Sequence, residues 1–310
     1  MNSSNATTDC VLVIGMFDGV HAGHRALLAA AVSIASELDE PLPVHVLTFD
    51  PHPRHVIAGE APNMLLSLDE RRDRLEEAGA AFVDFVPFTS EFSEQTPERF
   101  FRDVVQSRCS ARHVVVGANF RFGKKAAGDV ELLRTLASAA GMTVTAATLT
   151  TEAGEVVSSS RIRGLVATGD VAAANELLDA PYMLDGTIVH GAKRGRELGY
   201  PTANLEHDPA RLIPADGVYG GVAHVDGRQF IAAISVGTNP QFDTAGTAPR
   251  SVEAYLLDDT IGVDALYDLH MQLEFHTRVR GQATFPDLEA LVARIDVDVA
   301  VVRERMTLTT

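Results

Sequence analysis

The apolar run Val11-Leu12-Val13-Ile14, followed directly by Gly15-Met16-Phe17-Asp18-Gly19-Val20-His21-Ala22-Gly23-His24, constrains this chain more than any other stretch. Consecutive apolar residues of this kind fit a strand buried on both faces, as in a parallel sheet. The alanines and leucines from Arg25 to Leu38 favour a helix. Strand, glycine-bearing turn and helix start make a βα unit whose backbone N–H groups can face a phosphate. His21 and His24 stand three apart, so one helical turn projects both to one side. Two imidazoles there can donate hydrogen bonds to a phosphate whose charge grows in a transition state. The plainer alternative is a turn whose histidines only cap or pack. A zinc pair is disfavoured, because no further Cys or His sits at a recognisable ligand spacing.

With Gly15, Gly19 and Gly23 around it, H-x-G-H resembles the signature of the nucleotidyltransferase superfamily, which binds ATP or CTP at this turn and transfers a nucleotidyl group. The rest of the first half repeats the alternation. Val44 to Phe49 reads as a strand stopped by Asp50-Pro51-His52-Pro53, and Leu68 to Ala80 as a helix. Phe82 to Val86 reads as a strand, Pro97 to Ser107 as a helix, and His113 to Val116 and Thr143 to Leu149 as further strands. Strands alternating with helices predict a Rossmann-like α/β domain, with ligands beyond the carboxyl ends of the strands.

Gly117-Ala118-Asn119-Phe120-Arg121-Phe122-Gly123-Lys124-Lys125 looks like a P-loop and fails as one. It holds five residues between its glycines where four are needed, and Lys125 takes the hydroxyl position. Its cations form either a solvated loop or a lip for an anionic substrate. Ser158-Ser159-Ser160-Arg161-Ile162-Arg163 combines hydroxyls able to cap a helix with two arginines able to clamp phosphates.

From Tyr182 onward short strands separated by turns take over: Leu184 to His190, Gly217 to Val225, Gln229 to Val236, Ser251 to Leu257 and Met271 to Val279. This spacing predicts an antiparallel barrel or sandwich, with Asp226-Gly227 as a hairpin turn. A closing helix carries Leu288, Leu291, Val292, Ile295, Val299 and Val302 on one face. Between the strands, Gly191, Gly195 and Gly199 are spaced four apart among Lys193, Arg194 and Arg196, which suits either an exposed loop or a flap over a triphosphate. Thr202 and Asn204, two apart in Pro201-Thr202-Ala203-Asn204, offer hard oxygens suited to Mg²⁺ held jointly with phosphates. Glu253 alternates with apolar neighbours and is expected either on an exposed face or as a barrel-lining carboxylate that accepts a proton from an attacking alcohol.

Taken together, G-x-F-D-G-V-H-x-G-H, T-F-D-P-H-P, V-V-G-x-N-F-R-F-G and S-S-S-R-I-R resemble, in order, the adenylyltransferase half of the prokaryotic bifunctional riboflavin kinase/FMN adenylyltransferases (FAD synthetases). G-x-x-x-G-R-x-L-G-Y-P-T-A-N, D-G-V-Y, V-G-T-N-P and V-E-A-Y-L-L-D resemble the riboflavin kinase half of the same family, a small antiparallel barrel with a C-terminal helix. The resemblance implies an adenylyltransferase domain over 1–183 and a kinase domain over 184–310, making FMN from riboflavin and then FAD, with ATP and Mg²⁺. It implies that His21 and His24 stabilise the ATP phosphates, with Gly15, Phe17, Asp18, Asn119, Ser159, Ser160, Arg161 and Arg163 as further nucleotide and phosphate contacts. In the second half it implies Glu253 as general base, Thr202 and Asn204 on Mg²⁺, Gly191, Gly195, Arg196 and Gly199 over the nucleotide, and Arg280 near the flavin. Tyr200, Gln241 and Gln282 depart from the Phe, Thr and Glu that the family commonly has. Set against this reading are a kinase with a silent first half, a flavin-responsive regulatory protein, and a generic cytidylyltransferase that would leave the second half unexplained.

Composition narrows the remaining classes. The 310 residues suffice for two domains, and a formal charge of −16 argues against a nucleic-acid-binding surface. The longest apolar-rich stretch, Ala26 to Ala35, is too short to span a bilayer. Residues 1–8 are expected to be disordered, and the start of the chain lacks a basic and apolar leader pattern. Two cysteines make no disulfide framework, so a cytoplasmic location is expected, with homo-oligomerisation left open.

Overall fold

The computed structural model of the chain describes residues 9–191, 194–238, 250–257 and 262–306. Residues 1–8 and Gln241 lie outside them. Packing divides the chain into two compact units, Met1–Ser158 and Ser159–Thr310.

The first unit contains β1 (Cys10–Ile14), α1 (Ala22–Glu37), β2 (Val44–Asp50), α2 (Pro53–Ala58), α3 (Leu68–Glu77), β3 (Phe82–Pro87) and α4 (Ser90–Ser93). There follow α5 (Pro97–Phe100), β4 (Ala111–Gly117), α6 (Val130–Ala139), β5 (Thr143–Ala147) and a small hairpin of β6 (Thr151–Glu152) and β7 (Glu155–Val156). The sheet is parallel in the order β3-β2-β1-β4-β5. The chain leaves β1 toward β3 and returns on its other side as β4. That reversal opens a crevice beyond the carboxyl ends of β1 and β4, where such sheets bind ligands.

All five residues of β1 are buried, which is why its sequence is apolar without alternation. Val11 and Val13 pack with Leu27, Leu28 and Ala31 of α1 and Leu75 of α3. Leu12 and Ile14 face the opposite layer, with Phe100, Phe101, Val104 and, from α6, Leu133 and Ala137. The expected helix over Pro97 to Ser107 is α5 continued by a π-helical turn, Phe101–Gln106. The widened turn brings Phe100, Phe101, Val104 and Val105 together into the core.

The second unit begins with α7 (Ser159–Thr168) and α8 (Val171–Leu178). Then come β8 (Tyr182–Val189), α9 (Arg194–Glu197), β9 (Ala203–Glu206), β10 (Gly217–Val225), β11 (Arg228–Gly237), β12 (Ser251–Leu256), β13 (His270–Gly281) and α10 (Leu288–Arg305). Its strands close into an antiparallel barrel, β10-β11-β12-β9-β8-β13. Closure follows from the length of β13, whose 12 residues pair with β10 and with β8. Asp226 and Gly227 have φ of 51° and 70°, the left-handed pair that a tight hairpin requires.

On the outer wall, Val299 and Val302 of α10 and Met306, its C-cap, pack with Val222, Ile231 and Tyr255. The Asn175 side chain of α8 donates to the Phe275 carbonyl at 2.8 Å and accepts from the Tyr182 N–H at 2.7 Å. Arg278 donates to the Thr168 carbonyl at 3.0 Å. By packing, α7 and α8 therefore belong with the barrel.

Of the two placements open for Glu253, the structure takes the outward face and not the barrel lining. Val252, Ala254 and Leu256 are buried, and with Ala203, Ile234 and Phe275 they fill the interior. Side chains alternate across a strand, so Glu253 stands on the outer wall, on the face shared by Tyr255.

Candidate active sites

His21 is the N-cap of α1, and its Nδ1 accepts the His24 N–H at 3.3 Å. This bond orients one imidazole and satisfies a helix N–H that would otherwise lack a partner. The two rings stack with centroids 3.6 Å apart and planes 16° apart, and Phe17 meets His24 edge-on at 5.1 Å. Burial holds the His24 pKa well below the ordinary histidine value, with His21 and Arg71 adding to the effect. The imidazole is thus neutral near pH 7. Its Nδ1 is buried and has no hydrogen-bond partner among the described residues.

The turn that presents the pair is strained. Phe17, Gly19 and Val20 have φ of 53°, 89° and 41°, and for a β-branched valine this is a rare conformation. A Cβ on Gly15 would lie 2.8 Å from the Phe17 ring, so that approach demands glycine. Phe17 and Asp18 are both fully buried. The Asp18 carboxylate accepts the Leu65 N–H at 3.0 and 3.2 Å and the Leu66 N–H at 3.3 Å. Both residues therefore shape the turn rather than project from it. Asp18→Ala would leave two buried N–H groups without this acceptor. We expect it to destabilise the first unit by about 1–3 kcal/mol, read as a lower midpoint in calorimetric unfolding, whereas an unchanged midpoint would remove Asp18 from the scaffold.

At the end of β4 Asn119 is exposed, and its Oδ1 would lie 3.2 Å from a Cβ on Gly117. The expected basic lip is partly neutralised, because Lys124 pairs with Glu94 at 2.5 Å and Arg121 with Asp129 at 3.7 Å. Ser159, Ser160, Arg161 and Arg163 lie in the first turns of α7, in the second compact unit. Ser160 is exposed there and the other three are half-buried.

In the barrel, Asn204 of β9 stands opposite Glu253 of β12. The Thr202 hydroxyl donates to Oε2 of Glu253 and the Ser251 hydroxyl to Oε1, each at 3.1 Å. Two hydroxyls thus hold both oxygens of one carboxylate. A hollow beside it is lined by Gly191, Arg196, Thr202, Asn204, Val263 and Tyr267. A Cβ on Gly191 would fall 2.2 Å from the Asn204 amide nitrogen, so only glycine fits there.

Gly195 lies within α9 and Gly199 just after it, while Ala192 and Lys193 lie outside the described residues. Arg196 is held by Asp264 at 2.5 Å, which raises its pKa above the ordinary arginine value. The Tyr200 hydroxyl donates to Asp296 of α10, and that bond pushes its pKa up to about 12. Arg280 donates to buried Asp298 at 2.8 Å and to the Gly281 carbonyl at 2.9 Å.

Three residues of these sites were not singled out from the sequence. Ser251 holds Glu253, while Thr48 and Arg71 both donate to the Met16 carbonyl. Arg71 had a legible signal, since it lies four residues before buried Leu75 and so shares its helix face.

A family model described as FAD synthetase matches residues 3–161, and one described as riboflavin kinase matches residues 178–306. A protein of Escherichia coli strain K12 is 34% identical over 97% of this chain and 94% of its own length. Proteins of Listeria monocytogenes and Bacillus subtilis are 33% and 32% identical, each over 93% of this chain and 90% of their own. All three are named bifunctional riboflavin kinase/FMN adenylyltransferase. A crystal structure from Streptococcus pneumoniae, titled as a macrolide-efflux protein, matches with a TM-score of 0.87 at 29% identity, over 99% of this chain and 96% of that one. Among the described residues no helix is long and apolar enough to cross a membrane. With both family models matched in order and relatives aligned over nearly their whole length, the chain belongs to the bifunctional riboflavin kinase/FMN adenylyltransferase family.

Proposed function

We propose that the chain phosphorylates riboflavin to FMN in residues 184–310 and adenylylates FMN to FAD in residues 1–183, with ATP as the donor in both steps. One observation carries this reading. Two sites of different chemistry, an imidazole pair on a strained turn and a hydroxyl-held carboxylate beside a glycine cradle, are each assembled within one compact unit.

In the kinase step Glu253 accepts the proton of the ribityl 5′-hydroxyl as its oxygen attacks the γ-phosphorus, and ADP leaves. Ser251 and Thr202 hold the carboxylate for that transfer. Arg196 exchanges Asp264 for a nucleotide phosphate, and Arg280 lies toward the flavin. The hydroxyl of Thr202 and the amide oxygen of Asn204 form a hard-oxygen set that fits Mg²⁺, together with nucleotide phosphates. When bound, that ion would neutralise phosphate charge.

In the second step a phosphate oxygen of FMN attacks the α-phosphorus of ATP, and pyrophosphate leaves. His21 and His24, the latter kept neutral, donate to phosphate oxygens as charge grows on them. Ser159, Ser160, Arg161 and Arg163 supply further phosphate contacts, and Asn119 lies near the nucleotide. Both steps act on small molecules in the cytoplasm. The thiols of Cys10 and Cys109 are free and buried, and burial raises their pKa values to about 11 and 12, which keeps them protonated and unreactive.

Incubating the purified chain with riboflavin, ATP and Mg²⁺ and separating the flavins by chromatography tests the reading directly. FMN should appear first and FAD after it. Bound but unconverted riboflavin would refute the kinase activity, and FMN that never becomes FAD, even when FMN is supplied, would refute the second.

A further inference from the structure

Arg71 is 1% exposed, a burial that arginine rarely reaches without an ionic partner. Among the described residues it forms no salt bridge and its Nε has no hydrogen-bond partner, although the Asp18 and Asp50 carboxylates offset part of the cost of its burial through space. The start of α3 is set by a capping box: the Ser67 hydroxyl accepts the Glu70 N–H at 3.2 Å, and the Glu70 carboxylate accepts the Ser67 N–H at 2.7 Å. The next side chain leans back toward the helix N-terminus, as long helical side chains do. Its Nη1 reaches the Met16 carbonyl at 2.9 Å and the Thr48 hydroxyl at 3.5 Å. Thr48, fully buried in β2, donates to the same carbonyl at 3.0 Å.

Two donors from two elements thus converge on one carbonyl. That carbonyl belongs to the residue just before the segment in which Phe17 and Val20 take positive φ. Strain of this kind persists only where the surroundings over-determine it. A guanidinium buried 5.1 Å from the Phe85 ring, with its shorter hydrogen bond on that carbonyl, supplies such a constraint.

We propose that Arg71 is a positioning residue for adenylyl transfer, holding the Met16 carbonyl and through it the turn that presents His21 and His24. The proposal rests on the reading that the first unit makes FAD from FMN. It adds to that reading a residue outside the H-x-G-H turn that touches no reacting atom.

The test uses the full chain with Arg71→Met and Arg71→Lys, measuring FAD formation from FMN and FMN formation from riboflavin in the same preparations. The parent chain is measured first, because a parent that makes no FAD refutes the adenylyltransferase reading and not the role of Arg71. Arg71→Met should lower kcat for FAD formation about 100-fold, the scale of a 1 Å misplacement. The KM for FMN should stay near the parental value and the kinase rate should not change. Arg71→Lys, whose ammonium can still donate to the Met16 carbonyl, should recover most of the lost kcat. A kcat for Arg71→Met close to that of the parent, a change in KM alone, or no recovery with lysine would overturn the proposal. Should Arg71→Met fail to fold, Thr48→Val removes the other donor to the same carbonyl. It should lower kcat at unchanged KM, and a parental kcat in Thr48→Val would then overturn the proposal.

Discussion

Glu253→Ala should lower FMN formation by about 10²–10⁴-fold, the range typical of losing a positioned general base, while FAD formation from supplied FMN continues at the parental rate. The carboxylate lies on the outer wall of the barrel, with Thr202 on one oxygen and Ser251 on the other. Its removal opens no hole in the apolar interior, which Val252 and Ala254 fill from the opposite face. The loss should therefore appear in kcat and leave the unfolding midpoint almost unmoved. Glu253→Gln sharpens the test, because it keeps the volume but cannot take up the proton. If Gln restores the rate, the carboxylate serves as a hydrogen-bond anchor and not as a base. Simultaneous loss of both activities in Glu253→Ala would contradict two separate sites.

His24→Ala should do the reverse, lowering FAD formation by about 10²–10³-fold, the scale of losing one donor to a charge-developing oxygen. The variant should accumulate FMN from riboflavin. His24 is a cleaner probe than His21, whose side chain is the N-cap of α1. Replacing His21 would mix a helix-capping loss of about 1 kcal/mol with any effect on chemistry. The His24 Nδ1 has no hydrogen-bond partner among the described residues, so its truncation breaks no scaffold bond there. Unchanged FAD formation in His24→Ala would strike this imidazole from the mechanism.

Two departures from the family pattern acquire a physical meaning. The Tyr200 hydroxyl donates to Asp296, tying the segment after α9 to α10, a bond that phenylalanine cannot make. The Gln282 amide donates to the Thr238 carbonyl at 2.7 Å, where a carboxylate, having only acceptors, would repel that oxygen. Both substitutions exchange one interaction for another and leave Glu253, Thr202 and Asn204 in place.

Much of this was legible along the chain because it depends on local spacing. The unbroken apolar run of β1 announced a doubly covered strand, since both of its faces had to be dry. The three-residue spacing of His21 and His24 announced a shared side, and the rings do stack, although His21 is the extended N-cap of α1 and is held there by the His24 N–H. The short strands after Tyr182 announced an antiparallel sheet without choosing between barrel and sandwich; the motif resemblance implied the barrel, and the pairing of β13 with both β8 and β10 closes it. Glu253 alternates in either case. Which face of the strand is the interior depends on what the other five strands contribute, and that assigned the carboxylate to the outer wall.

Arg71 and Thr48 mark the limit of such reading. They lie 55 and 32 residues from Met16, and each meets its carbonyl through a separate element. No local period connects them. The sequence by itself determined the βα turn, the imidazole pair, the two families of motifs and the change of architecture after the first half. Only the tertiary structure decided which groups hold the Met16 carbonyl, which hydroxyls hold Glu253, and which cations are already paired. Those are contacts between segments distant in sequence, and they exist only once the chain has closed its sheets.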